Sequence, residues 1–95
     1  MPRKKSPKQL EHDIADALAV AKVREQWPKI ADLLDRTSGR FVSVAWTYDA
    51  SVVADPSRRY HEGSHPKTAL PALFASLRKH GVRTVNVDDR GEFAL

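Results

Sequence analysis

Apolar residues recur along the first third of the chain with the spacing of a helix. Leu10, Ile14, Ala17, Leu18 and Ala21 fall on one stripe, and Glu11, Asp13, Asp16 and Lys22 lie mostly off it. Ser6-Pro7-Lys8-Gln9 supplies the start: Ser6 as N-cap, Pro7 where a missing N–H costs nothing, and Gln9 at the capping-box position. A first helix to about Gln26 is expected. Pro28 interrupts it, because its ring clashes with the carbonyl of Arg24 and it donates no hydrogen bond. A second short stripe of Ile30, Leu33 and Leu34 follows, stopped by Thr37-Ser38-Gly39, where Gly39 suits a left-handed cap.

The period then changes from helical to alternating. From Phe41 to Tyr48, Val42, Val44, Trp46 and Tyr48 share one face while Phe41, Ser43, Ala45 and Thr47 share the other, the pattern of a strand with one face in the core. Val52-Val53-Ala54 is too short to type. Arg58 to Glu62 reads as an edge strand and Gly63-Ser64-His65-Pro66 as a loop. Leu70, Leu73, Phe74 and Leu77 mark a further helix from about Lys67 or Thr68, with Pro71 in its first turn. Arg78-Lys79-His80 complement its C-terminal dipole, and Gly81 caps it. Val82 to Val87 and Glu92 to Leu95 then flank the turn residues Asp88-Asp89-Arg90-Gly91, a β-hairpin signal.

Strands outnumber any simple β-α-β alternation. The pattern therefore predicts an α+β fold: a small, mainly antiparallel sheet, helices packed on one face, and a long N-terminal helix broken near Pro28. At 95 residues one core is the limit, so residues 9–95 are expected to form a single domain behind a flexible basic arm over residues 1–8.

Composition changes this picture in two places. The chain has no cysteine, which excludes a disulfide framework and a thiolate metal site, and a reducing, cytoplasmic setting is expected. Its longest uninterrupted apolar run, Ala17 to Ala21, is far too short to span a membrane, and no membrane partner is expected. The chain carries 16 basic and 12 acidic residues, and Arg3, Lys4, Lys5 and Lys8 account for the whole excess. A basic arm on an otherwise neutral body suits a polyanion, nucleic acid before membrane. Arg58, Arg59 and Tyr60 are the other nucleic-acid candidates, two cations beside a ring that can stack on a base.

Three further features carry candidate chemistry. His61-Glu62-Gly63-Ser64-His65 spells the H-E-x-x-H string of zinc hydrolases, which works only when both imidazoles project from one helix face. Gly63 and Pro66 oppose that helix, so neither metal nor cofactor is expected and a metal-dependent hydrolase ranks last. Asp88 and Asp89 are paired carboxylates at turn positions and are assigned no chemistry. The alanines at 15, 17, 19 and 21 allow close approach of another helix, including one from a second copy. The sequence thus points to a non-enzymatic accessory or regulatory module that contacts nucleic acid through its arm. The alternative is a modulator or inhibitor that docks on a protein partner.

Overall fold

The structure, a computed structural model, describes residues 6–95. Helix α1 (Pro7–Gln26) and helix α2 (Pro28–Arg36) precede strand β1 (Phe41–Thr47); a 3-10 turn at Pro56–Arg58 leads into β2 (Tyr60–Pro66). A second 3-10 turn at Lys67–Ala69 runs into α3 (Leu70–Lys79), and β3 (Thr84–Val87) and β4 (Glu92–Ala94) complete the chain. The four strands form one sheet in the order β2-β1-β3-β4, each neighbouring pair antiparallel. This is the α+β architecture expected from the sequence.

The start of α1 follows its local chemistry. The Gln9 N–H donates to Ser6 Oγ at 3.2 Å, which satisfies one of the otherwise unpaired donors of the first turn. At the break, Trp27 leaves the helical region (φ −133°, ψ 67°) and serves as the last cap of α1 and the first of α2. Its indole is buried edge-on against Phe74, ring centres 5.6 Å apart, with the Arg78 guanidinium 5.3 Å from the indole centre on the outside. Arg24 fixes the corner by reaching Asp32 and Asp35 on α2, and the bond to Asp32 is foremost in holding its guanidinium above the ordinary arginine range.

One face of the sheet supplies one wall of the core. Val42 and Val44 on β1 and Val85 and Val87 on β3 are fully buried against Val23, Ile30, Leu34, Leu70 and Phe74 from the three helices. Val44 opposite Val87 sets the register that brings these two strands' apolar faces to the same side. The reverse face carries Ser43, Thr47, Tyr60, Glu62, Ser64, Thr84, Asn86 and Glu92 together with Ala45 and the exposed Phe41, a mainly polar surface with two carboxylates and no lysine or arginine on its strands. The β3–β4 hairpin closes through an Arg90 N–H to Val87 carbonyl bond of 3.0 Å, with Asp88 and Asp89 at φ 54° and 52°, the left-handed pair of a type I′ turn.

Two expectations are corrected here. Gly63-Ser64-His65-Pro66 is not a loop: β2 runs straight through it, pairing Gly63 with Val44 and His65 with Val42. Arg58 belongs to the preceding 3-10 turn, so the edge strand begins at Tyr60. Seven residues of extended partner on β1 outweigh the turn preference of a Gly-Ser pair, which is how tertiary pairing overrides local propensity.

Candidate functional site

The basic arm divides at Ser6. Arg3, Lys4 and Lys5 lie outside the described residues; Lys8 is exposed in the first turn of α1. There it borders an open cleft of about 570 Å³ with His12, Asp16, Arg40 and Lys67. The cations of this cleft are largely engaged. Lys67 Nζ donates to the Thr37 carbonyl at 2.9 Å, and Arg40 faces Asp16 at 3.9 Å. Asp16 keeps one buried carboxylate oxygen without a hydrogen-bond partner, so an anion entering the cleft meets a like charge and is repelled.

Arg58, Arg59 and Tyr60 do not act together. The Arg59 guanidinium donates to the carbonyls of Val53 and Ala54 at 3.0 and 2.9 Å, pinning the 48–59 connection to the sheet, and its own carbonyl accepts from the Tyr48 N–H. Asp49 and Asp55 shape that connection through bonds to Ser51 and Ser57, and the Ser51 backbone bond is the main reason the Asp49 carboxyl lies below its ordinary value. Tyr60 is exposed, yet its hydroxyl donates to Glu62 at 3.2 Å. Partial desolvation, then the Glu62 charge, raise that phenol above its usual range. A base stacked on Tyr60 would thus lie beside a carboxylate. Of the three, only Arg58 is exposed with no hydrogen bond or ion pair from its guanidinium among the described residues.

The histidine string takes a form its spacing did not foretell. As residues i and i+4 of a strand, His61 and His65 share a face but stand ~13 Å apart along it. Trp46 fills the space between: its ring centre lies 5.6 Å from His61, nearly parallel, and 6.0 Å from His65. Gly63 leaves the room, and Tyr48 meets His61 edge-on at 5.1 Å. His61 Nε2 is also bonded to the Arg58 carbonyl at 2.8 Å. Two imidazoles separated by an indole cannot share one ion, and no group of three potential metal-ligating side chains occurs among the described residues. The string is an aromatic brace on the edge strand. Within that brace Trp46 Nε1 is buried without a partner.

Spacing alone leaves open which side faces the body for α1. Its buried residues are Ala19, Val20 and Val23, whereas Leu10, Ile14 and Leu18 are 47, 59 and 64% exposed. At 100° per residue the two sets centre roughly 175° apart, so α1 is apolar on two opposite sides and the body covers only one. Ala17 and Ala21 continue the outward stripe, and both are exposed. Beside it lies an open groove of about 810 Å³, walled by Leu18, Ala21 and Lys22 of α1 and by Thr68, Pro71 and Ala72 at the start of α3. The signal was in the sequence: α1 carries more apolar positions than one face can hold.

Searches against protein-family models, curated proteins and solved structures gave no match. Among the described residues no helix is long and apolar enough to cross a membrane.

Proposed function

We propose that this protein is a non-enzymatic binding module that docks an apolar helix of a protein partner on the outward face of α1. The observation that carries the reading is the stripe of Leu10, Ile14 and Leu18, which exposes roughly 300 Å², within the range of functional patches on soluble proteins. The small side chains at Ala17 and Ala21 let a second helix approach closely, and the groove beside Pro71 and Ala72 gives it a wall. An accessory or regulatory role and cytoplasmic residence belong to the same proposal. A second reading, nucleic-acid contact, is favoured by the confinement of the excess charge to Arg3, Lys4, Lys5 and Lys8. It gains nothing from the acidic open face of the sheet or from the engaged Arg59.

The test is capture of a partner, another chain or an untagged copy of this one, by the tagged protein after nuclease treatment. Ile14→Glu with Leu18→Glu should abolish capture, and deletion of residues 2 to 5 should leave it unchanged. Capture that disappears with nuclease, or that the two glutamates do not affect, refutes docking on α1.

A further inference from the structure

The outward face of α1 is asymmetric along its length, in size and in charge. Its N-terminal half carries the large residues Leu10 and Ile14, and its C-terminal half carries the small Ala17 and Ala21, with Leu18 near the middle. Large side chains pack best opposite small ones. A helix of this shape therefore complements its own copy when the two run in opposite directions, so that Leu10 and Ile14 of each meet Ala21 and Ala17 of the other.

Charge gives the same answer independently. Glu11 and Lys22 are both exposed and lie on the same flank of the stripe, about 20° apart around the helix. Across an antiparallel pair equal flanks face each other. With the two-fold axis between Asp16 and Ala17, Glu11 stands opposite the partner's Lys22, and symmetry repeats the pair. In a parallel arrangement opposite flanks face each other, so Glu11 would stand near the other copy's Asp13 and Lys22 near its Arg24, like charges in both cases. The groove wall adds a third element, because Thr68, Pro71 and Ala72 lie alongside Lys22 and Ala21, where the arriving Leu10 and Ile14 would rest.

We infer that the occupant of this face is a second copy of the chain, held as an antiparallel α1–α1 pair. The inference rests on the docking reading and names its partner. Two copies contributing the three large residues, Ala15, Ala17, Ala21 and the α3 corner bury about 1,000 Å² in total, the lower bound for a specific interface. Association is therefore expected in the micromolar range.

The absence of cysteine makes a clean experiment available. Mass is measured by light scattering or sedimentation from about 1 to 100 μM, where a micromolar dimer passes from mostly monomer to mostly pair. The mass should rise towards twice the 10.6 kDa of one chain. Glu11→Lys or Lys22→Glu alone should weaken association at least tenfold, and both together should restore it. Under mild oxidation Ala17→Cys, next to the axis, should link to itself, whereas Leu10→Cys should not, since its own copy lies far beyond disulfide reach. A chain that stays monomeric at about 100 μM with no Ala17→Cys link overturns self-pairing. That outcome leaves the docking reading to its own capture experiment. A dimer insensitive to Ile14→Glu overturns both, because the pairing then uses another surface. Efficient linking through Leu10→Cys, whatever the stability of the charge variants, refutes the antiparallel arrangement.

Discussion

Leucine truncated on the two sides of the helical layer should have very different consequences. Leu34 of α2 is fully buried in the core, while Leu18 is 64% exposed on the outward face. Leu34→Ala removes the full transfer contribution of the side chain and leaves a cavity that neighbours such as Val23 and Phe74 close only in part, a loss of about 3 kcal/mol. For a domain of this size, with total stability of about 5–10 kcal/mol, that lowers the melting temperature by roughly 12–24 °C. Leu18→Ala removes contacts made by only about a third of the side chain, or ~0.5–1 kcal/mol, and alanine's higher helix propensity returns a few tenths. The expected change in the monomer is under ~1 kcal/mol. Urea denaturation followed by tryptophan fluorescence reads both values. The measurement belongs at about 1 μM, where association does not contribute, and again at about 100 μM, where loss of the Leu18 contact should appear as a lost concentration dependence of the midpoint. Equal destabilisation by the two substitutions at low concentration would show that the stripe of Leu10, Ile14 and Leu18 is part of the core. The docking reading would then have no surface.

Reversal of Arg58 and of Arg59 should separate binding from structure. Arg59→Glu breaks two charge-assisted bonds to Val53 and Ala54 and should cost about 1 kcal/mol in urea denaturation, whereas Arg58→Glu should leave stability within about 0.5 kcal/mol of the parent. If Arg58 touches phosphates, its reversal alone should weaken nucleic-acid binding several-fold near physiological salt; equal affinity removes it from any such site. Purified protein should carry no stoichiometric zinc by elemental analysis, because Trp46 separates His61 from His65. One tightly held zinc per chain, lost in His61→Ala, contradicts this arrangement.

Local chemistry made most of the fold legible. Ser6-Pro7 announced the start of α1, Pro28 its end, and Asp88 to Gly91 the hairpin turn, because each of these residues acts within a few positions of itself. The alternation of Val42, Val44 and Trp46 gave β1 its inward face, although Trp46 lies at the rim, half-buried between the histidines. Two matters depended on partners distant in sequence and could not be read. β2 exists because β1 offers Gly63 and His65 a complete ladder, a contact across about twenty residues that a Gly-Ser pair does not advertise. The inward side of α1 was equally hidden. Its outward stripe has the larger side chains, so spacing and size singled out Leu10, Ile14 and Leu18, while the body requires the smaller Ala19, Val20 and Val23 to bring α1 close to the start of α3. The candidate stripe was thus visible as a pattern, with its environment left open by spacing alone.

The two functional readings meet at the first turn of α1. If copies pair about an axis between Asp16 and Ala17, the two Pro7 residues lie roughly 28 Å apart along the helices. Arg3, Lys4, Lys5 and Lys8 of each chain then start from opposite ends of the pair. That separation exceeds three Debye lengths at physiological salt, so the two sets of cations barely repel one another. A parallel pair would bring all eight together at one end. The arm therefore selects the same orientation as the size and charge gradients along the stripe. It also gives the pair two basic termini set apart on one rod, so that a single polyanion engaged at one end raises the effective concentration of the other. Docking through α1 and phosphate contact through the arm need not compete: the first fixes the spacing at which the second can be bivalent.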